Sequence, residues 1–371
     1  MTTGPGDAGG RTRGGTGMSG AIAAGVTVLV CVVVRLPDRL IQQTGLRGWA
    51  VALVGVIAMV NGARMLAQAP FTISHRSSSL ARWAAGQLAA LGGTVAIGAA
   101  LTVPLYVLIR ASSLWWLRAW AMFAGVTIAG QAALPLIVRA QVGPLDPASV
   151  ELAERVRAIG FRAGVDVGGG VLIARRAVTK VGKAAHRGSR PNAYVVGLGP
   201  TRRVVLEAGL AAWPPQLVDQ VVAHEIGHWR LGHATRRLPV TIAAQLATFA
   251  LAGLALSWPP LLDWAGIAAA GDPRSYPLLL GLTPLLVLPA RVLLAAYDRS
   301  QERAADRFAL ATLAEPKLFA CMLEWAALEG GAPRHLPWWR KVTASHPPID
   351  ERILACRPAA TSPDTQRSTA S

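Results

Sequence analysis

The strongest structural signal in the chain is the run Val222-Ala223-His224-Glu225-Ile226-Gly227-His228-Trp229. Pro214-Pro215 lies just before it and predicts that a helix begins there and includes the whole stretch. Residues four apart in a helix lie on the same face, so His224 and His228 can present two imidazoles to one cation. Glu225 follows the first imidazole and can take a proton from an attacking water. We therefore predict a zinc-binding, catalytic helix.

The zinc needs a third protein ligand, because catalytic zinc sites usually have three protein ligands and a water. The metzincin arrangement is excluded, since Leu231 and Ala234 stand where it has a Gly and a His. We interpret His233, one residue off that position, as a structural or interfacial histidine. The remaining option is a carboxylate on a later helix, and Glu302 is the predicted ligand. Asp306, four residues on, would hydrogen-bond the far nitrogen of a ligand imidazole; the alternative for this pair is a solvated charged face.

The composition is that of a membrane protein. Apolar residues make up 52% of the 371 residues and charged residues 15%, with a net charge of +17. Soluble domains contain about 25% charged residues. Few charges, mostly basic, indicate a polytopic membrane protein with basic loops at the cytoplasmic face. Nucleic-acid binding is not expected, because no recognition module accompanies the arginines, and the cysteines (Cys31, Cys321 and Cys356) lack metal-ligand spacing.

Apolar segments divide the chain into membrane and soluble parts. After a disordered N-terminus at 1–18, segments at 21–34, 49–68, 84–109 and 115–138 predict four transmembrane helices within 19–140. The first could also be the core of a signal peptide, but we favour a retained span. Segments at 240–257 and 276–297 predict a transmembrane hairpin over 240–297. An even number of crossings returns the chain to the same side, which supports pairing His228 with Glu302.

The soluble parts are predicted to form one metallopeptidase domain in two pieces, 141–239 and 298–356, followed by a disordered tail at 357–371. Asp146 and Pro147 predict a helix start, with that helix running through Ile159. Runs at 171–174, 193–196 and 203–206 predict a small sheet. The His-Glu helix is expected to continue to about Arg236, and a charged helix to start near Asp298. Fifteen Lys or Arg against seven acidic residues between 139 and 237 place this part in the cytoplasm.

Four motifs resemble the integral-membrane gluzincins, which include the HtpX-type heat-shock proteases and type I CAAX prenyl endopeptidases. They are His224-Glu-Ile-Gly-His228, Glu302-x-x-Ala305-Asp306, Pro191-Asn192-Ala193-Tyr194 and Ser345-His346-Pro347 followed by Arg352. The resemblance covers about 141–356. It implies a mainly α protein: polytopic membrane helices plus a small α+β gluzincin-type catalytic domain with a short sheet. It also implies one Zn²⁺ per chain.

The resemblance further implies roles for four residues. Asn192 and Tyr194 would lie on an edge strand that pairs with a substrate in extended conformation. His346 would stabilise the oxyanion, and Arg352 would accompany the metal-site carboxylates. In two respects the chain departs from the pattern: Asp298-Arg299 stands where the family often has Ser-Arg, and four spans are predicted where HtpX-type proteins usually have two.

The sequence thus predicts a multi-pass zinc endopeptidase of the cell membrane that hydrolyses membrane-associated or misfolded polypeptides at the cytoplasmic face. One alternative is a regulatory, signal-transducing membrane metalloprotease, although no extracytoplasmic sensor domain is evident. Another is a catalytically silent scaffold, which would have no need of Glu225. A transporter would place ionisable residues deep inside the spans, and most of those present lie near span ends.

Overall fold

A computed structural model of the chain describes residues 104–142, 145–167, 170–174, 193–196, 203–272, 275–330 and 334–356. The predicted N-terminus at 1–18, the apolar segments before residue 104, Asn192 and the tail at 357–371 lie outside the described residues. The fold is mostly helical with one small sheet, as predicted.

Helices account for most of the described chain, in addition to a helical segment at 104–111. They are α1 (Trp115–Val142), α2 (Val150–Arg162), α3 (Ala208–Ala211), α4 (Pro215–Arg230), α5 (His233–Leu256), α6 (Pro259–Trp264), α7 (Ser275–Leu313), α8 (Pro316–Gly330), α9 (Trp338–Lys341) and α10 (Ile349–Ala355). The strands are β1 (Leu145–Pro147), β2 (Val171–Ala174), β3 (Ala193–Val196) and β4 (Arg203–Glu207).

The chain divides into two compact units. The first comprises the described residues of Met1–Phe123 and Gln245–Ala290, and the second those of Ala124–Ala244 and Arg291–Ser371. The first unit is helical, and its core is built from residues such as Tyr106, Leu256 and Leu278. Gly253 allows a close approach there, because a Cβ at this position would lie 2.7 Å from Cδ1 of Trp116.

Two helices in the described part of the chain are long and apolar enough to cross a membrane, namely His233–Leu256 and the Leu278–Leu313 part of α7. In the most apolar 18-residue stretch of each helix, only 11% of the first and 28% of the second is buried, whereas the core helices of a soluble protein are mostly buried. Leu254, Leu285 and Leu293 are more than 60% exposed. Such exposed leucines suit contact with lipid. These helices contain the predicted segments 240–257 and 276–297 almost entirely, and α1 covers 115–138.

The sheet lies in the second unit, in the strand order β1-β2-β4-β3. β2 and β4 are parallel, while β1 and β3 pair antiparallel with β2 and β4 respectively. The strands predicted at 171–174, 193–196 and 203–206 are confirmed. Val204 and Leu206 face the main core of this unit, and Val205 packs on the opposite face with Tyr194. β3 is therefore an edge strand of the described sheet.

The predicted helix start at Asp146 and Pro147 is wrong. Both residues belong to β1, in which Asp146 is paired with Ile173 of β2. An edge strand tolerates proline, so the sheet pairing is compatible with Pro147. The helix instead begins at Val150, where the Ser149 Oγ caps it by accepting a hydrogen bond from the Leu152 amide at 3.3 Å, and it continues to Arg162.

The His-Glu helix also ends earlier than predicted, at Arg230 rather than near Arg236. Gly232 has φ +66°, a left-handed conformation that favours glycine and ends helices. Its amide donates to the Trp229 carbonyl at 3.0 Å, which closes the turn. α5 then starts at His233, so this histidine is not on the same helix as His228.

No separate helix starts near Asp298, contrary to the prediction. α7 runs without a break from Ser275 to Leu313 and includes Pro284 and Pro289. The apolar segment and the charged Glu302 segment are therefore one continuous helix.

Candidate metal centre

α4 carries His224, Glu225 and His228 and is buried on most of its sides. Leu217, Val218, Val222 and Ile226 all belong to the core of the second unit. Buried Gln220 donates a hydrogen bond to Glu315 at 2.9 Å. Because these contacts fix the helix, the directions of its histidine side chains are fixed as well.

A small residue between the two predicted ligands lets α7 approach α4. A Cβ at Gly227 would lie 3.1 Å from Cδ1 of Phe308 and 3.3 Å from the carbonyl oxygen of Ala305. Ala305 is itself fully buried and lies between Glu302 and Asp306 in sequence. The close packing at Gly227 thus brings the two carboxylates of α7 against α4.

His224, His228 and Glu302 come together as a group that can hold a metal ion, with ligand atoms all within 4.8 Å of one another. The Nε2 atoms of His224 and His228 are 3.1 Å apart. Glu302 Oε2 lies 3.5 Å from the first and Oε1 lies 3.5 Å from the second. Tetrahedral zinc with bonds of about 2.0–2.1 Å places its ligand atoms roughly 3.3 Å apart.

The donor set therefore fits zinc in type and in spacing. Glu302 is 8% exposed, and its Oε2 accepts no hydrogen bond from the described residues. A buried carboxylate oxygen without a hydrogen bond is costly, and a bound cation would compensate it.

Behind the first histidine lies an ion-pair network. Asp306 Oδ1 is 2.9 Å from His224 Nδ1. Arg352 donates from Nε and Nη2 to the two oxygens of Asp306, at 2.8 and 2.6 Å. The carboxylate of Asp306 beside Nδ1 thus favours a proton on that nitrogen, while Nε2 of His224 faces Glu302. Arg352, from α10, is held in place by the same carboxylate.

Behind the second histidine lies His233, which was not predicted to belong to the site. His233 Nδ1 is 2.7 Å from His228 Nδ1, and His233 is 6% exposed. The turn at Gly232 directs His233 back onto α4. The signal that could have revealed this is Gly232 itself, a typical residue for the position just beyond a helix end.

The last predicted site residue is His346, on the segment between α9 and α10. Its Nε2 is 3.4 Å from Glu302 Oε1, its Nδ1 is 3.0 Å from Ser345 Oγ, and its side chain is 54% exposed. Arg299 holds this segment against α7, because its Nη1 donates to the carbonyls of Lys341, Val342 and Ala344 at 2.9, 3.3 and 2.7 Å. No sequence pattern predicted this role of Arg299.

Burial and neighbouring charges shift the pKa values on α4. Burial raises the pKa of Glu225 to about 7; a charged His224 opposes this shift and Glu302 adds to it. Burial and the nearby His224 lower the pKa of His228 to about 4, so its ring is neutral. For His224, burial is outweighed by the nearby carboxylates of Asp306 and Glu302, which raise its pKa to about 9.

Tyr194 lies in the sheet and not in the metal cluster. It is paired with Val205, and its ring packs on the sheet face formed by Ala174, Val205 and neighbouring leucines. Burial and the charge of Glu207 raise the pKa of Tyr194 to about 12, so the hydroxyl stays protonated. β3 does pack against α4, which places an edge strand beside the helix of the candidate ligands.

Known proteins resemble parts of the chain. It is similar to two proteins named CAAX prenyl protease 1 homolog. The one from Oryza sativa subsp. japonica is 29% identical over 185 residues, covering 47% of this chain and 41% of that protein. The one from Caenorhabditis elegans is 28% identical over 145 residues, covering 38% and 32%. The matches thus span less than half the length of either relative.

The fold is similar to that in the crystal structure of S. mikatae Ste24p. The TM-score is 0.63 at 16% sequence identity, and the match covers 83% of this chain and 76% of that one. At this identity the likeness concerns the fold alone. The model of Peptidase family M48 matches residues 174–359, half of the chain, a segment that includes α4, Glu302 and His346. The chain therefore belongs to peptidase family M48.

Proposed function

We propose that this protein is a membrane-embedded zinc metalloendopeptidase that hydrolyses peptide bonds of membrane-associated or misfolded polypeptides. The observation that carries the proposal is the donor set of His224, His228 and Glu302, which converges from two helices on one point. Asp306 contacts the far nitrogen, Nδ1, of His224, and His233 contacts Nδ1 of His228. Such contacts set the tautomer that a metal requires.

One zinc ion per chain would be held by these three residues. When bound, zinc polarises a carbonyl group and makes water a better nucleophile near neutral pH. Glu225 is the general base, since it follows the first ligand and its pKa of about 7 suits a proton acceptor at neutral pH. A scaffold without catalytic activity would not need this carboxylate.

Other residues would bind the substrate and stabilise charge. His346 would donate to the oxyanion that develops on the substrate, and the 3.4 Å distance from its Nε2 to Glu302 Oε1 supports this role. The edge strand β3, which contains Tyr194 and follows Asn192 in sequence, would pair with an extended substrate backbone. The position of β3 beside α4 supports this role.

The membrane arrangement is also part of the proposal. α5 and α7 would form a transmembrane hairpin, with further spans before them in a multi-pass protein. The excess of Lys and Arg between 139 and 237 supports a catalytic part, built from 141–239 and 298–356, at the cytoplasmic face.

Proteolysis by the purified full chain tests the proposal. The substrate is a detergent-unfolded membrane protein, and the variants are Glu225→Gln and, as a matched control, Glu154→Gln on the exposed face of α2. We expect cleavage by the wild type and the control, and loss of cleavage with retention of zinc in Glu225→Gln. Equal cleavage by Glu225→Gln would overturn the role of Glu225. Failure of the wild type to bind zinc would overturn the metalloenzyme.

A further inference from the structure

An aromatic and basic turn projects from the second unit just before His346. We call residues 338–342, which comprise α9 and Val342, the Trp turn. Trp338 is 78% exposed, Trp339 43% and Val342 38%. The surrounding segment 334–346 contains three Lys or Arg and no acidic residue. Adjacent exposed tryptophans are unusual on a water-facing surface, because they leave a large apolar area in contact with water.

Hydrogen bonds from Arg299 hold the Trp turn against α7. The predominantly apolar part of α7, in which Arg291 is an exposed charged residue, ends at Tyr297, and the charged residues Asp298 and Arg299 follow. Arg299 donates to the carbonyls of Lys341 and Val342 in the Trp turn. The turn therefore lies beside the point at which α7 changes from apolar to charged.

A second contact places the charged start of α5 beside Asp298, where the charged part of α7 begins. Arg237 precedes the apolar stretch of α5 and donates from Nε and Nη2 to the two oxygens of Asp298, at 2.7 and 3.1 Å. The charged ends of the two candidate spans thus lie side by side. In a membrane, this level is the boundary between hydrocarbon and headgroups, where tryptophan is enriched.

We propose that the Trp turn is an interfacial anchor that inserts Trp338 and Trp339 into the headgroup region of an anionic lipid surface. Arg340 lies over the Trp339 ring at 5.0 Å, so that a cation and an apolar ring occupy the same depth. Lys341 forms an ion pair with Glu351, and Arg334 and Arg340 supply the positive charge that attracts anionic headgroups. This inference rests on the membrane location in the proposed function.

The anchor has a consequence for the site, because the Trp turn and His346 belong to one short segment. Lipid would hold the segment at the tryptophans, and Arg299 holds it at Lys341, Val342 and Ala344. His346 follows two residues after Ala344. The membrane surface would in this way help to keep His346 opposite Glu302.

Depth measurement with nitroxide spin labels tests the proposal on the full chain in lipid nanodiscs. The native cysteines (Cys31, Cys321 and Cys356) are replaced by alanine, and single cysteines are introduced by Trp338→Cys, Leu285→Cys and Glu154→Cys. Leu285 is an exposed residue in the apolar part of α7 and Glu154 an exposed residue of α2. Accessibility to oxygen and to a water-soluble nickel chelate gives the depth of each label.

We expect the label at 338 to be accessible to oxygen and shielded from nickel, at a depth between those of the labels at 285 and 154. Nickel accessibility at 338 equal to that at 154, with 285 shielded, would overturn the anchor and leave the membrane enzyme intact. Shielding from both reagents would mean that position 338 is covered by protein and would also overturn it. A water-accessible label at 285 would overturn the membrane span itself.

Lipid charge tests the electrostatic part. Replacing about a third of the phosphatidylcholine by phosphatidylglycerol should move the label at 338 deeper, and the double substitution Arg340→Gln and Arg334→Gln should abolish the change. A depth that does not respond to anionic lipid in the unsubstituted background would contradict the anionic preference.

Discussion

His233 Nδ1 lies 2.7 Å from Nδ1 of His228, although the two histidines belong to different helices. His228 therefore has both ring nitrogens engaged: Nε2 faces Glu302 and Nδ1 faces His233. If His228 donates its Nδ1 proton to His233, its Nε2 is left with a lone pair for a metal ion. His233 can in this way position the ring of His228.

The first prediction concerns His233. His233→Ala should weaken zinc binding by about 10- to 100-fold, the usual effect of removing a partner of a ligand histidine. His233→Asn should recover part of the affinity, because its side-chain oxygen can accept the proton near the position of the lost Nδ1. Zinc competition with a chelator measures both. Equal affinity of His233→Ala and wild type would show that the contact does not orient His228.

The second prediction concerns the pair of Asp306 and Arg352. Asp306→Asn should lower zinc affinity and should also destabilise the fold by about 3 kcal/mol, because it leaves Arg352 buried without a charged partner. The double variant Asp306→Asn with Arg352→Leu should regain stability but not zinc affinity. Thermal unfolding in detergent and zinc titration separate the two effects. A double variant no more stable than Asp306→Asn would contradict the cost assigned to the unpaired arginine.

The third prediction concerns pH. The pKa of His224 is raised to about 9, so without metal this ring is protonated at pH 7, whereas His228, with a pKa of about 4, is not. Zinc must displace the proton of His224, so apparent affinity should fall about tenfold for each pH unit between 8 and 6. Calorimetry in two buffers of different ionisation enthalpy should count about one proton released per zinc from the histidines. Affinity independent of pH in this range would refute the raised pKa.

The fourth prediction concerns Arg299. Arg299→Ala removes the hydrogen bonds to the carbonyls of the segment that leads to His346. We expect kcat to fall about tenfold or more with zinc content unchanged, because oxyanion stabilisation requires a fixed donor. Arg303→Ala, an exposed arginine one turn further along α7, is the matched control and should retain activity. Similar kinetics for the two variants would show that Arg299 does not hold His346 in place.

Local sequence rules predicted the part of the site that lies within one helix. The four-residue spacing of His224 and His228 places both rings on one face whatever surrounds the helix. Short β-prone runs such as 203–206 predicted the strands, because this signal also lies in the local sequence. The carboxylate of Glu302 was predicted by elimination, and the structure brings it to within 3.5 Å of both histidines.

Long-range contacts account for what the sequence did not reveal. Arg299 acts on carbonyls more than 40 residues away, and no local pattern marks such a partner. Pro147 was interpreted as a helix start, since nothing nearby shows that β2 pairs with it. His233 was given no role because the helix was extended past Gly232, whose φ of +66° ends α4. Asp298, which stands where the family often has a serine, also has a distant partner: it forms a bidentate ion pair with Arg237.

X-ray absorption at the zinc edge, on the purified and zinc-loaded full chain, identifies the atoms that bind the metal. We expect one zinc per chain, bound by two imidazole nitrogens and by oxygen at about 2.0–2.1 Å, with one imidazole lost in His228→Ala. Sulfur ligands at about 2.3 Å, or a spectrum unchanged in His228→Ala, would contradict the assignment of His224, His228 and Glu302 as the metal site.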